Sequence, residues 1–204
     1  MPTEIAFGYS IAPADGVLYS TNGGRAMKKS DKGKTHDAGL RQQKAPLTTP
    51  TDLKGEATKD IAGAMNAILA DVFALYLKTK SFHWHISGRH FRDDHLLLDE
   101  HATQIFSMVD DIAERIRKIG GTALRSIGDI ARNQRLKDND DERLLATDML
   151  RHLLDDNRQL TRFLRLAHEV CDRHRDVATA SLIENWIDES ERRAWFLSET
   201  TRER

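Results

Sequence analysis

Residues 80–115 read KSFHWHISGRHFRDDHLLLDEHATQIFSMVDDIAER, and the phase of this stretch decides the fold. From Phe91 onward, Leu98, Ile105, Met108, Val109, Ile112, Ile116 and Ile119 recur at helical steps, which predicts a long helix with one side laid on a core. It ends at Gly120-Gly121, about eight turns after it begins. Just before it, Ser87-Gly88-Arg89 breaks the chain, and Gly88 can supply the left-handed cap of an earlier helix.

That earlier helix runs from about Thr58 to Ile86, with Ile61, Met65, Ile68, Leu69, Val72, Phe73, Leu75 and Tyr76 as its apolar stripe. Beyond Gly128 there is neither Gly nor Pro, and the helical pattern repeats twice. Leu144, Leu145, Met149, Leu153, Leu160, Phe163, Leu164 and Val170 mark a third helix. Val177, Leu182, Ile183, Trp186, Ile187, Trp195 and Leu197 mark a fourth, with the break near residues 172–176. The connection over residues 122–132 is long enough to carry a short helical turn. Four long helices with one long crossover are the ferritin-like arrangement of an all-α four-helix bundle, and no strand pattern competes with it. The expected organisation is a tail over residues 1–57 and a bundle over 58–204.

Composition sets the outer limits. The chain has 204 residues, 39% of them apolar and 31% charged, enough for one core of ordinary size. No unbroken apolar run reaches the ~20 residues of a membrane span, so no membrane partner is expected. A secretory pattern of basic flank and apolar stretch is missing from the N-terminus, which makes the cytoplasm the expected compartment. The single Cys171 can build neither an internal bridge nor a Cys-rich zinc site.

The net charge of −1 hides an asymmetry. All four prolines and six of the twelve glycines fall in residues 1–50, which lack sustained apolar periodicity. Residues 25–44 hold seven bases, Arg25, Lys28, Lys29, Lys32, Lys34, Arg41 and Lys44, against Asp31 and Asp37. Residues 1–50 sum to +3 and residues 51–204 to −4.

The chemistry is concentrated in the opening stretch. His95 and Asp99 stand four apart and share a helix face, as do Asp110 and Glu114. Asp99 and Asp110 are eleven residues apart, about 16 Å along a straight helix, so one chain cannot close both pairs around the same ions. Two copies related by a two-fold axis can, if His95 and Asp99 of one face Asp110 and Glu114 of the other, giving two sites per pair. His83 joins because the turn at residues 87–89 folds the end of the first helix beside the start of the second. Imidazoles and carboxylates without a thiolate suit Fe(II) or Zn(II) and leave positions for an oxidant.

The order His83-x11-His95-x3-Asp99-x10-Asp110-x3-Glu114, with Trp84, Gly88, Phe91 and Arg115 around it, resembles the ferroxidase signature of the Dps family, DNA-binding proteins from starved cells. The resemblance spans residues 58–199. It implies a hollow homo-dodecamer of ferritin-like subunits that oxidises Fe(II), preferably with hydrogen peroxide, at di-iron sites on the two-fold interfaces. By that resemblance His83, His95 and Asp99 come from one subunit, Asp110 and Glu114 from its partner, and ferric mineral is stored in the cavity. Trp84 is by analogy placed to quench stray oxidising equivalents, or else packs at the dimer contact. A classical ferritin would need Glu-x-x-His motifs, and the chain contains none.

Further expectations concern the surface. In this family the junction of the third and fourth helices lines pores for iron entry, which makes Asp172, Asp176 and Glu184 pore candidates, although an ordinary charged surface would look the same. The basic tail, repeated a dozen times on one particle, would hold DNA without sequence preference and place the particle at the nucleoid. His85, His90 and His101 match no ligand position and read as surface or supporting residues. Asp93, Asp94, Glu100 and Asp111 read as a solvated acidic face. The competing reading is a nucleoid-associated DNA-binding particle whose metal site is idle or structural.

Overall fold

A computed structural model describes residues 49–202, so the basic residues from Arg25 to Lys44 lie outside the described residues. Five helices follow one another: α1 (Gly55–His85), α2 (Phe91–Lys118), α3 (Ile127–Asn133), α4 (Ala146–His174) and α5 (Val177–Thr201). No strand occurs among the described residues. The long helices pair as two hairpins, α1 with α2 and α4 with α5. They are joined through α1 against α4 and, more lightly, α2 against α5, while α3 lies on α1. This is the all-α, ferritin-like bundle with a short helix in the crossover.

The expected stripes form the core. Ile61, Met65, Ile68 and Leu75 of α1 meet Leu98, Ile105, Ile112 and Ile116 of α2 and Leu150, Leu160, Leu164 and Ile183 of the second hairpin. By length and average hydropathy α1 could cross a membrane, a looser criterion than an unbroken apolar run. Its apolar stripe is instead spent on this core.

Helix ends follow local chemistry. After α2 the chain turns through Gly120, at φ 86°, into Gly121, where an added Cβ would lie 2.7 Å from the Ala62 Cβ. A side chain there would push the crossover off α1. Ser126 caps α3 by accepting from the Asp129 N–H at 3.1 Å. The break between α4 and α5 has no glycine: Arg175 itself takes the left-handed conformation, φ 58°. Asp176 then caps α5, accepting from the Thr179 N–H at 3.1 Å and from Arg115 at 2.7 Å.

Two helix starts differ from expectation. The first helix begins three residues earlier, at Gly55, and Ala57 is already buried there. The α4 helix begins only at Ala146, so Leu144 and Leu145 sit in the preceding turn, with Leu145 as N-cap. The helix can start there because the Leu145 carbonyl takes the N–H groups of Asp148 and Met149.

One polar clasp anchors the crossover. Asp71, fully buried in mid-α1, accepts from the Arg135 backbone N–H, from its Nε at 2.8 Å and Nη2 at 2.6 Å, and from the Leu136 N–H at 3.0 Å. The same guanidinium lies 3.8 Å over the Phe163 ring of α4. A buried carboxylate is tolerable only when answered this fully.

Candidate metal centre

The last turn of α1 and the first turns of α2 are bound to each other by two histidines. His83 Nδ1 lies 2.8 Å from the His95 carbonyl oxygen, and His95 Nδ1 lies 2.9 Å from the His83 carbonyl oxygen. A carbonyl can only accept, so both Nδ1 atoms carry the hydrogen. In the neutral rings this leaves both Nε2 atoms with free lone pairs, the form a metal requires. The rings stack, centroids 3.7 Å apart, and Phe91 packs on His95 at 5.1 Å. His83 is buried and His95 half-buried.

Asp99 lies one turn beyond His95. Its Oδ1 is 3.9 Å from His83 Nε2 and 2.8 Å from Lys80 Nζ. The Lys80 hydrogen bond and charge hold the Asp99 carboxyl below the usual carboxylate range, with smaller help from His83 and His95. His83, His95 and Asp99 thus form one patch. Asp110 and Glu114 are exposed further along α2, and Glu114 pairs with Lys118 at 3.0 Å. Among the described residues of a single chain, no three His, Cys, Asp or Glu side chains converge on one metal position. The donor set is therefore in two parts, two imidazole Nε2 atoms with one carboxylate and, about 16 Å away, two more carboxylates. Its chemistry fits a hard-to-borderline divalent metal such as Fe(II).

Trp84 follows His83 but points away from the core and is 60% exposed. With Leu77, Tyr76 and Ile127 it lines an apolar groove of about 620 Å³ between α1 and α3.

At the α4–α5 junction the three acids separate. Asp172 and Glu184 are exposed and both meet His168, at 3.1 Å from its Nδ1 and 3.1 Å from its Nε2. Asp176 is buried and engaged in the α5 cap and the Arg115 ion pair. The sequence signal for the first of these contacts is the i, i+4 spacing of His168 and Asp172. Cys171 is buried, and burial pushes its thiol up to about 12, an inert side chain.

Asp94 departs from expectation: it is buried, rather than part of a solvated face, and His101 is buried too, which removes the surface alternative for it. The signal was there: 94, 98, 101 and 105 form one helical stripe whose other members, Leu98 and Ile105, are core. Burial pushes the His101 imidazole down to about 4, with Arg193 and Arg192 adding to the effect.

Against known proteins, residues 62–203 match the family model of the ferritin-like domain. The DNA protection during starvation protein of Agrobacterium fabrum is 31% identical over 156 residues, covering 76% of this chain and 96% of that protein. A low temperature-induced protein of Nostoc is 34% identical over 146 residues, covering 71% of this chain and 82% of its own. Among solved structures, DpsC from Streptomyces coelicolor superposes with a TM-score of 0.75 at 26% identity, covering 80% of this chain and 98% of its own.

Proposed function

The chain belongs to the Dps family of ferritin-like proteins, and on that premise we propose that it oxidises Fe(II), with hydrogen peroxide as preferred oxidant, and stores the ferric product. The observation that carries this reading is the reciprocal His83–His95 pair, which presents two Nε2 lone pairs beside Asp99 and leaves Asp110 and Glu114 on a separate patch of the same helix. A two-fold partner running antiparallel brings each patch to the other. The proposed assembly is a hollow homo-dodecamer in the cytoplasm.

Iron is the substrate of this site. Imidazole nitrogens retain affinity for the ferrous ion and carboxylates favour the ferric one. Two Fe(II) ions give up one electron each, and one peroxide takes both electrons with two protons to leave two waters. Pairing the ions avoids the one-electron reduction that would release a hydroxyl radical. Lys80 shares Asp99, so iron binding displaces a cation from that carboxylate. Trp84 follows His83 in the chain and is exposed, an oxidisable aromatic adjacent to the site in sequence. Asp172 and Glu184 are the acids left exposed for a pore role.

The test is stopped-flow Fe(II) oxidation by peroxide. Replacing His95 and Asp99 together by Ala is expected to slow it by at least about 100-fold while helix content is unchanged. An unaffected rate would overturn the site. The Lys80–Asp99 ion pair favours one other reading, a DNA-binding nucleoid particle with an idle metal centre, which a wild-type protein that binds DNA at low salt without accelerating the reaction would support. For DNA, binding by the basic tail should weaken steeply with salt, and deleting residues 1–50 should abolish the low-salt gel shift. Equal shifts would remove the tail from the function.

A further inference from the structure

The bundle interior holds a guanidinium whose two terminal nitrogens meet no acceptor among the described residues. Arg193, on α5, is fully buried. Its Nε donates to Asn157 Oδ1 on α4 at 2.9 Å. Asn157 cannot turn to offer more, because its Nδ2 already donates to the Leu153 carbonyl at 2.8 Å. Arg193 Nη1 and Nη2, which carry four N–H donors between them, have no acceptor. Glu189 supports the charge from one turn earlier, yet no described carboxylate forms an ion pair with Arg193. Burial pushes the guanidinium down to about 10, which still leaves it protonated at neutral pH. The neighbouring α2 residue, His101, has no negative charge to offer.

A buried cation with unmatched donors is the most costly polar arrangement a core can hold. Waters could accept the four hydrogen bonds but would leave the charge standing. We propose that Arg193 forms an internal site for one small monovalent anion of halide size, bound by Nη1 and Nη2 between α5 and α4, on the side where His101 of α2 lies. Full burial excludes a nucleic-acid phosphate or a larger metabolite. The positive charge likewise excludes Fe(II), so this site stands apart from the iron patch on the outer side of α2.

Two measurements on the assembled full-length protein test it. Crystals grown without chloride and soaked in sodium bromide should show anomalous density at hydrogen-bond distance from both Nη atoms of Arg193. Ordered density without anomalous signal would identify water and overturn the proposal. At constant ionic strength, exchanging gluconate for chloride should raise the melting temperature by roughly 2–4 °C. Arg193→Met, which keeps the volume and removes the charge, should abolish that rise. Equal melting of the wild type in the two salts would overturn the site, as would a chloride effect that survives in Arg193→Met. Should that variant fail to assemble, the bromide density and the wild-type salt comparison still decide.

Discussion

Helix α2 carries His and Asp on two neighbouring faces, and the two faces treat them in opposite ways. Asp94 and His101 point inward with Leu98 and Ile105 and are buried. His95 and Asp99 are one residue later and two residues earlier, respectively, and they open toward the outer side. Residue type does not distinguish the pairs. Phase around the helix does, since about 100° of rotation separates neighbours and moves a side chain from core to surface. Inside, an imidazole is held neutral by burial. Outside, two imidazoles are each oriented by a carbonyl oxygen at Nδ1, which leaves Nε2 as the nitrogen turned away from that contact.

The contrast can be broken from the inner side first. Leu98→Ala, at a fully buried position between Asp94 and His101, is expected to lower stability by about 2–5 kcal/mol. The urea midpoint of the assembled protein measures it, and peroxide-dependent oxidation per folded subunit should persist. A loss below ~1 kcal/mol would show that the inner stripe is not packed as described.

Acid is the next probe. The His101 imidazole sits at about 4 in the folded chain and near 6.5 when unfolded, so between those values the unfolded chain binds more protons. Stability contributed by the neutral buried ring is therefore complete above about pH 6.5, falls as pH drops, and levels off below about pH 4, by roughly 3 kcal/mol in all. His101→Leu should flatten this part of the pH–stability curve relative to wild type. Parallel curves would mean that the ring is not desolvated.

The outer face should respond in binding rather than in stability. Lys80→Ala frees Asp99 of its cation and is expected to tighten Fe(II) binding roughly two- to fivefold, the scale of an exposed ion pair. Anaerobic Fe(II) titration reads this. Weaker binding instead would make Lys80 a helper of the site rather than a competitor for Asp99.

Much of this was legible in the residues. The four stripes and Gly120 mark the long helices, because apolar phase and a left-handed turn are local properties; Gly88 also has a positive φ but is not the cap of α1, which ends at His85 with Ile86 extended. The spacing of His83, His95, Asp99, Asp110 and Glu114 predicts a site shared between two chains; among the described residues His83 lies near both His95 and Asp99, and no three such side chains converge on one metal position. The α4–α5 break was faint because Arg175, not glycine, takes the positive φ. Polarity alone puts Asp94 on the surface, whereas its helical phase with Leu98 and Ile105 puts it in the core. The Asp71 clasp and the Asn157–Arg193 contact join residues 64 and 36 positions apart, and nothing local announces such pairs. The ligand tautomers were equally hidden, since they depend on which carbonyl lies opposite once the hairpin has closed.

The clasp at Asp71 also has a meaning in time. A ribosome feeds the chain out from the N-terminus, and domains fold in that order. By Leu136 the emerging chain already contains His83, His95, Asp99, Asp110, Glu114, the short α3 and every partner of Asp71. The hairpin that carries the candidate metal residues, with its crossover, is thus fully encoded before the first residue of α4 is made. What the later hairpin adds is the other half of the core, and with it the buried arginine.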